Sequence, residues 1–342
     1  MTLNPTLEVL GAPGSPYTRK LIAALRYRRI RHVVFWGRNA LPDTYPDPKV
    51  RLLPTVYFPE GEGGQRIPVT DTTPILMRLE AEHEERSLIP KDPALAFINA
   101  LIEDYADEWL TKAMFHYRWA FEADWKNAAP LLVYWNTHTI DADAAAQMSA
   151  QFAERQIERL PVVGSNPVTA ETIERSYSRF VSCLDALIAR RGFILGARPS
   201  TADFAIFGQM TQLAIVEPTA AAITQSISQR VRAWVDIIED LSGLNPSEAD
   251  WLAVEDAHHL KPLLVEIGRT YAPAMAANAK AILAGKETFK AQIDDRAWTQ
   301  PVFKYQAKCL GWLRDAYGAL PTASRQAVDD LLEGTGCEML FG

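Results

Sequence analysis

The sequence predicts a small α/β domain, then an all-helical domain, then a mixed helical and hairpin extension. Three observations carry this. Strand and helix signals alternate through the first ninety residues, strand signals nearly vanish after Pro90, and an alternating segment reappears around Asp294 and Asp295. The expected boundaries are 1–90, 91–249 and 250–342.

Residues 7–10 form the first apolar run, and residues 16–29 follow with helical spacing. "RHVVFWG" reads as a second strand because its core is β-branched and aromatic. A polar, proline-rich connection covers residues 38–49. "LPTVYF" and "RIPVTD" flank the turn-rich "PEGEGG", which predicts a hairpin over residues 53–71. A helix after Thr73, with Pro74 at its first position, closes the unit. The order β-α-β, loop, β-β-α implies a sheet with parallel and antiparallel pairs.

Helical periodicity then covers residues 95–123, 142–160, 169–190, 201–216 and 226–241. In "RPSTADFAIFG", Ser200 and Asp203 have the spacing at which each side chain satisfies the other's free backbone N–H at a helix start. The extension reads as helix over 253–283 with a proline interruption, a hairpin in "ETFKAQIDDRAWTQ", and helices over 303–317 and 324–332. Trp298, Phe303, Tyr305, Leu310 and Trp312 give it an apolar load that predicts packing onto the helical domain, as a lid on a substrate pocket or as a plain buttress.

A chain of 342 residues that is 48% hydrophobic can bury more than one core. Its 35 Lys and Arg against 42 Asp and Glu leave a net charge of −7, which disfavours general binding to nucleic acid or acidic membranes. Cys183, Cys309 and Cys337 lie far apart without CxxC spacing, and His258-His259 has no metal-ligand companions, so no metal is expected. "GEGG" lacks the GK[ST] of a phosphate loop. The first residues have no cationic and apolar leader pattern, and no segment approaches the roughly 18 apolar residues of a membrane span. A cytoplasmic location is the expectation.

The chemistry concentrates at "LGAPGSPYTRKLIAALRYRRI". Ser15 before Pro16 is a helix cap worth about 1 kcal/mol. The same geometry sets a hydroxyl and unpaired N–H groups at the positive end of a helix dipole, at the end of the first strand. Such a place favours an anion, and a thiol delivered there becomes a thiolate more readily. Arg19, Lys20, Arg26, Arg28, Arg29 and Arg31 read as a solvated helix face and its exit.

"SPYTRKLIAAL" on the first helix, "LLPTVYF", "VTDTTPI" and "STAD", in this order, resemble the cytosolic glutathione transferase family, in its serine-type, bacterial-like form, over residues 6–245. The resemblance implies a thioredoxin-like N-terminal domain, glutathione as co-substrate, no metal and a homodimer. It makes Ser15 the residue that donates to the glutathione sulfur. It makes Pro54 a cis-proline, Leu53 the backbone partner of the cysteinyl amide, and Asp71 with Thr72 the receiver of the γ-glutamyl group. The Asp-Thr pair stands where family members commonly have Glu-Ser, and the same two residues also suit a helix cap. The cation for the glycyl carboxylate is not assigned among Arg38, Lys49 and Arg51.

Tyr17 reads first as a packing residue and second as another hydroxyl near the sulfur. The aromatic run "DYADEWLTKAMFHYRW" lies on the helix that lines the electrophile pocket in the resembled fold. Tyr105, Trp109 and His116 are therefore the expected wall for an apolar, aromatic electrophile, with core packing as the other reading. The expected function is a transferase or lyase that uses the glutathione thiolate. A glutathione-dependent isomerase, dehalogenase or ether-cleaving enzyme, and a non-catalytic binding or interaction module, are the alternatives.

Overall fold

The computed structural model describes residues 6–60 and 64–342. The first five residues and the tip of the expected "PEGEGG" turn lie outside the described residues. The N-terminal unit runs β1 (Leu7–Gly11), α1 (Pro16–Tyr27), β2 (His32–Trp36), β3 (Thr55–Glu60), β4 (Gln65–Thr70) and α2 (Thr72–Glu82). The sheet order is β2-β1-β3-β4. β1 and β2 pair in parallel, and β3 runs antiparallel to both β1 and β4. This is a thioredoxin-like sheet of mixed sense. It sets the end of β1, the start of β3 and the start of α2 at one edge of the unit.

α2 begins at Thr72, two residues earlier than the sequence suggests. Asp71 is its cap and Pro74 its third helical residue, a position where the missing N–H still leaves no helical bond unmade.

The helical part opens with α3 (Pro93–Tyr105), which continues through a π-helical segment (Ala106–Leu110) into α4 (Thr111–Ala120). α5 (Glu122–Asn136), α6 (Ala142–Ile157), α7 (Ala170–Arg191), α8 (Thr201–Thr211), α9 (Pro218–Ile227) and α10 (Gln229–Ile238) follow. The sequence reading missed α5 and α9, which are punctuated by Pro130 inside and Pro218 at the start. Proline normally marks a break; Pro130 instead sits within a helix held by tertiary packing, and Pro218 takes the first helical position, where its missing N–H costs nothing. The Ser200–Asp203 cap forms as read: Ser200 N donates to Asp203 Oδ2 at 2.9 Å, and Asp203 N to Ser200 Oγ at 3.5 Å. α8 lies directly against α1. A Cβ at Gly208 would stand 2.4 Å from the Pro16 carbonyl oxygen, so only glycine allows that approach.

The extension consists of α11 (Lys261–Leu283), the hairpin β5 (Thr288–Ile293) and β6 (Arg296–Pro301), α12 (Lys304–Gly318) and α13 (Thr322–Leu332). Asp294 and Asp295, at φ 54° and 58°, make its two-residue turn. Trp298 is buried against Trp109 with ring centroids 5.3 Å apart, and Leu310 joins the same core. Phe303 and Trp312 depart from the expectation, remaining 42% and 39% exposed. Among the described residues no helix is long and apolar enough to cross a membrane. No group of three or more His, Cys, Asp or Glu side chains among them is placed to hold a metal.

Candidate functional site

After β1 the chain turns through residues 12–14 into Ser15, the cap of α1, with φ −94° and ψ 116°. Ser15 Oγ accepts from Thr18 N at 3.2 Å and donates to the Leu53 carbonyl oxygen at 3.3 Å. The Leu53–Pro54 bond is cis. The hydroxyl, the backbone edge of Leu53 and the N-terminal end of α1 thus meet in one place, and Ser15 stays partly exposed there.

The loop before Ser15 is clamped from the helical part. Arg118 Nη1 donates to the Gly14 carbonyl at 3.0 Å, and Gln212 Nε2 donates to the Pro13 carbonyl at 3.2 Å. Arg118 Nη2 reaches Gln212 Oε1 at 2.7 Å, and its Nε pairs with Glu217, all three side chains being buried. Burial pushes the Glu217 carboxyl up, and Arg118 opposes that. Leu132 and Trp135 of α5 cover Gly14 so closely that a Cβ there would lie 2.3 Å from Leu132. The sequence reading did not single out Arg118 or Gln212. A lone arginine inside the aromatic run 115–121 was the available signal.

At the other end, Asp71 sits at φ 81° with Oδ1 accepting from Thr73 N at 3.3 Å. Its Oδ2 accepts a hydrogen bond from the Tyr305 hydroxyl on α12. Thr72 is buried as the first residue of α2, and Thr73 Oγ1 donates to Glu103 Oε1 at 3.0 Å.

Lys20 overturns the solvated reading of the first helix. It is 1% exposed and binds Glu103 at 2.7 Å and Asp107 at 2.6 Å. Burial opposes its charge, but the two carboxylates win and raise the ammonium's pKa. Arg28 is also buried, on Glu80 and the His83 carbonyl, while Arg19 and Arg26 share Glu239. Arg29 and Arg31 are exposed as read. The reading failed because these cations face partners up to 220 residues away.

Glu103, Asp104, Asp107 and Glu108 line the seam between α1, α2 and α12. Burial is the main force on Glu108 and pushes its carboxyl up to about 8, with Asp104 and Asp107 adding repulsion. Burial likewise raises Asp104 to about 7, against a hydrogen bond from Tyr271.

Tyr17 donates to the Asp107 carbonyl at 2.8 Å, so its hydroxyl is engaged at this seam. The expected electrophile wall is also corrected. Tyr105, Trp109 and His116 are all at most 2% exposed. Trp109 donates to Ser176 at 2.8 Å, His116 meets Ser165 at 2.7 Å and Glu174 at 3.2 Å, and Tyr105 packs on Phe180 and Tyr271. These are interior contacts, the core alternative of the sequence reading. Arg38 and Arg51 both reach Asp47, at 3.6 and 2.8 Å, and neither they nor Lys49 is singled out for a carboxylate.

Residues 170–245 match the family model for the glutathione S-transferase C-terminal domain. The match ends before the extension begins. No curated protein matches the chain. Among solved structures, a glutathione transferase family member from Pseudomonas fluorescens, with two glutathione bound, aligns at 13% identity. That alignment covers 69% of this chain and 89% of that one, with a TM-score of 0.41. A glutathione S-transferase from Methylobacterium radiotolerans in complex with glutathione sulfonate aligns at 18% identity, 71% and 99% coverage and a TM-score of 0.35. A glutathione transferase from Pseudomonas putida, with one glutathione disulfide per subunit, aligns at 15%, 70% and 94% coverage and 0.38.

Proposed function

We propose that the chain binds glutathione in its N-terminal unit and uses Ser15 to favour the thiolate. The observation that carries this is the meeting of the Ser15 hydroxyl, the α1 N-terminus and the Leu53 carbonyl beside cis-Pro54. The match of residues 170–245 to a glutathione S-transferase domain supports the same reading.

The ligand exchanges two contacts at this point. The Ser15 hydroxyl leaves Leu53 O and turns to the sulfur, while Leu53 O accepts the cysteinyl N–H in its place. Hydrogen bonding to S⁻ lowers the thiol pKa from its free value of about 8.5. The thiolate attacks an electrophilic carbon, a C–S bond forms, and the leaving group departs with its electron pair. The γ-glutamyl ammonium pairs with Asp71, and its carboxylate meets Thr72 and the N–H groups opening α2. With Tyr105, Trp109 and His116 in the interior, Leu132 and Trp135 beside Gly14 are the apolar wall available to an aromatic electrophile. Isomerase, dehalogenase and ether-cleaving chemistry would start from the same thiolate. The homodimer implied by the resemblance stays part of this proposal, and light scattering at the 38.1 kDa monomer mass would remove it.

Isothermal titration of the full chain with glutathione tests the reading. Saturable 1:1 binding is the expected result, and absence of heat at millimolar ligand overturns it. Binding without turnover of any aryl halide or epoxide electrophile would leave a binding module only.

A further inference from the structure

We propose that the C-terminal extension is part of the ligand site: α12 closes the end at Asp71, and Tyr305 is a positioning residue that aims the Asp71 carboxylate at an ammonium group. The inference rests on the glutathione reading and adds the segment and residue that this reading lacks.

Tyr305 lies 234 residues from Asp71, and its hydroxyl donates to Oδ2 while Thr73 N holds Oδ1. Each oxygen is therefore fixed by one donor and retains a lone pair for a second. Burial and the carboxylate together raise the phenol's pKa, so Tyr305 stays protonated and a donor at neutral pH.

The placement of α12 does not depend on Asp71. Phe303 N donates to Asn278 Oδ1 and Asn278 Nδ2 donates to the Phe303 carbonyl, both at 2.9 Å, which fixes the chain two residues before Tyr305. Gln306 Nε2 donates to the Glu108 carbonyl at 3.2 Å, and Cys309 and Leu310 are buried one turn further on. Tyr305 is thus presented by a rigid helix, which is what an orienting hydroxyl requires.

The charges around this end suit a cation. Glu103 and Asp107 share the Lys20 ammonium, and burial favours the protonated forms of Asp104 and Glu108. Among the described residues this leaves Asp71 as the carboxylate at this end with no cation of its own, with Lys308 Nζ 5.9 Å from the Tyr305 ring centroid on the α12 side. Asp107 Oδ1 is buried without a hydrogen-bond partner. An ammonium at this end is attracted by the Asp71 carboxylate, whereas a carboxylate would be repelled by it. Tyr305 itself is only half-buried. Exposed Trp312 and Phe303 lie beside it, each with its ring centroid 6.4 Å from that of Tyr305, so the closed end still borders solvent.

The test compares Tyr305→Phe with the parent chain by calorimetric titration, using glutathione and its analogue without the α-amino group, glutaryl-cysteinylglycine. The expected result is about a three- to ten-fold weaker glutathione affinity, as for loss of one hydrogen bond of ordinary strength that acts through Asp71, with analogue affinity unchanged. A melting temperature close to the parent's shows that the fold is kept. Equal weakening for both ligands would make the hydroxyl a structural contact and overturn the proposal. Unchanged or tighter glutathione binding would overturn it as well, by showing an idle or obstructing residue. A parent chain that binds neither ligand removes the glutathione reading, and the proposal with it, a result distinct from all the others.

Discussion

The two ends of the candidate site are built differently. At the Ser15 end, the candidate hydroxyl and its backbone partner come from neighbouring turns of one small sheet unit, with Arg118 and Gln212 holding the loop from behind. At the Asp71 end, almost every polar contact crosses between parts of the chain, from Lys20 to Asp107 and from Asp71 to Tyr305. The first end's helix cap and cis-proline turn can be rebuilt from short motifs, and only its clamp comes from the helical part. The second exists only once three regions have packed together, and its buried carboxylates make it the more fragile.

The largest effect that tests this contrast is Lys20→Met. Removing the ammonium leaves Glu103 and Asp107 buried without their cation, a change that costs about 3–5 kcal/mol in comparable buried pairs. Urea unfolding should show a loss of that order. A loss under about 1 kcal/mol would place the charges in water and erase the difference between the two ends.

The same end predicts a pH signature. Glu108, held near 8 instead of its ordinary 4.5, keeps its proton in the folded chain after the unfolded chain has released it. Between those values the native state binds more protons, so stability falls as pH rises from about 5 to 8 and then levels off. Melting temperatures across this range should decline, and Glu108→Gln should flatten the decline. A rise would mean that the cluster's carboxylates are ionised and satisfied.

Next in size is Asp71→Asn, which removes the charge that would meet the γ-glutamyl ammonium. Glutathione affinity should fall by about 1.5–3 kcal/mol, with a smaller change in the chemical step. An unchanged dissociation constant would move the ammonium elsewhere and reduce Asp71 to the helix cap it also is.

How much of this was legible follows the same division. The order of strands and helices in the N-terminal unit, the turn at Asp294-Asp295 and the Ser200–Asp203 cap could be read because each depends on residues within a few positions of one another. The placement of Ser15 at a helix start was legible for the same reason. Lys20 was not, because a lysine on an amphipathic helix has the same local pattern whether it faces water or a carboxylate on another helix. Tyr105, Trp109 and His116 failed similarly, since helical spacing shows that one side is buried but not which neighbours cover the rest. The contact between Tyr305 and Asp71 had no local signal at all.

The smallest expected effect separates the two roles of Ser15. Ser15→Ala removes the acceptor for Thr18 N, which as a lost helix cap should lower stability by about 1 kcal/mol. It also removes the hydroxyl that would face the sulfur. Under the proposed chemistry the bound thiol's pKa should rise and turnover of a generic electrophile should fall about ten-fold, roughly 1.4 kcal/mol in the barrier, with glutathione affinity nearly unchanged. Ser15→Gly divides these effects, because glycine is tolerated at a helix cap at a cost of only a few tenths of a kcal/mol while lacking the hydroxyl. If the glycine variant recovers most of the stability but not the turnover, the hydroxyl acts on the thiol. If turnover recovers with stability, Ser15 is a cap alone, and the Ser15 end is no more than a well-formed helix start.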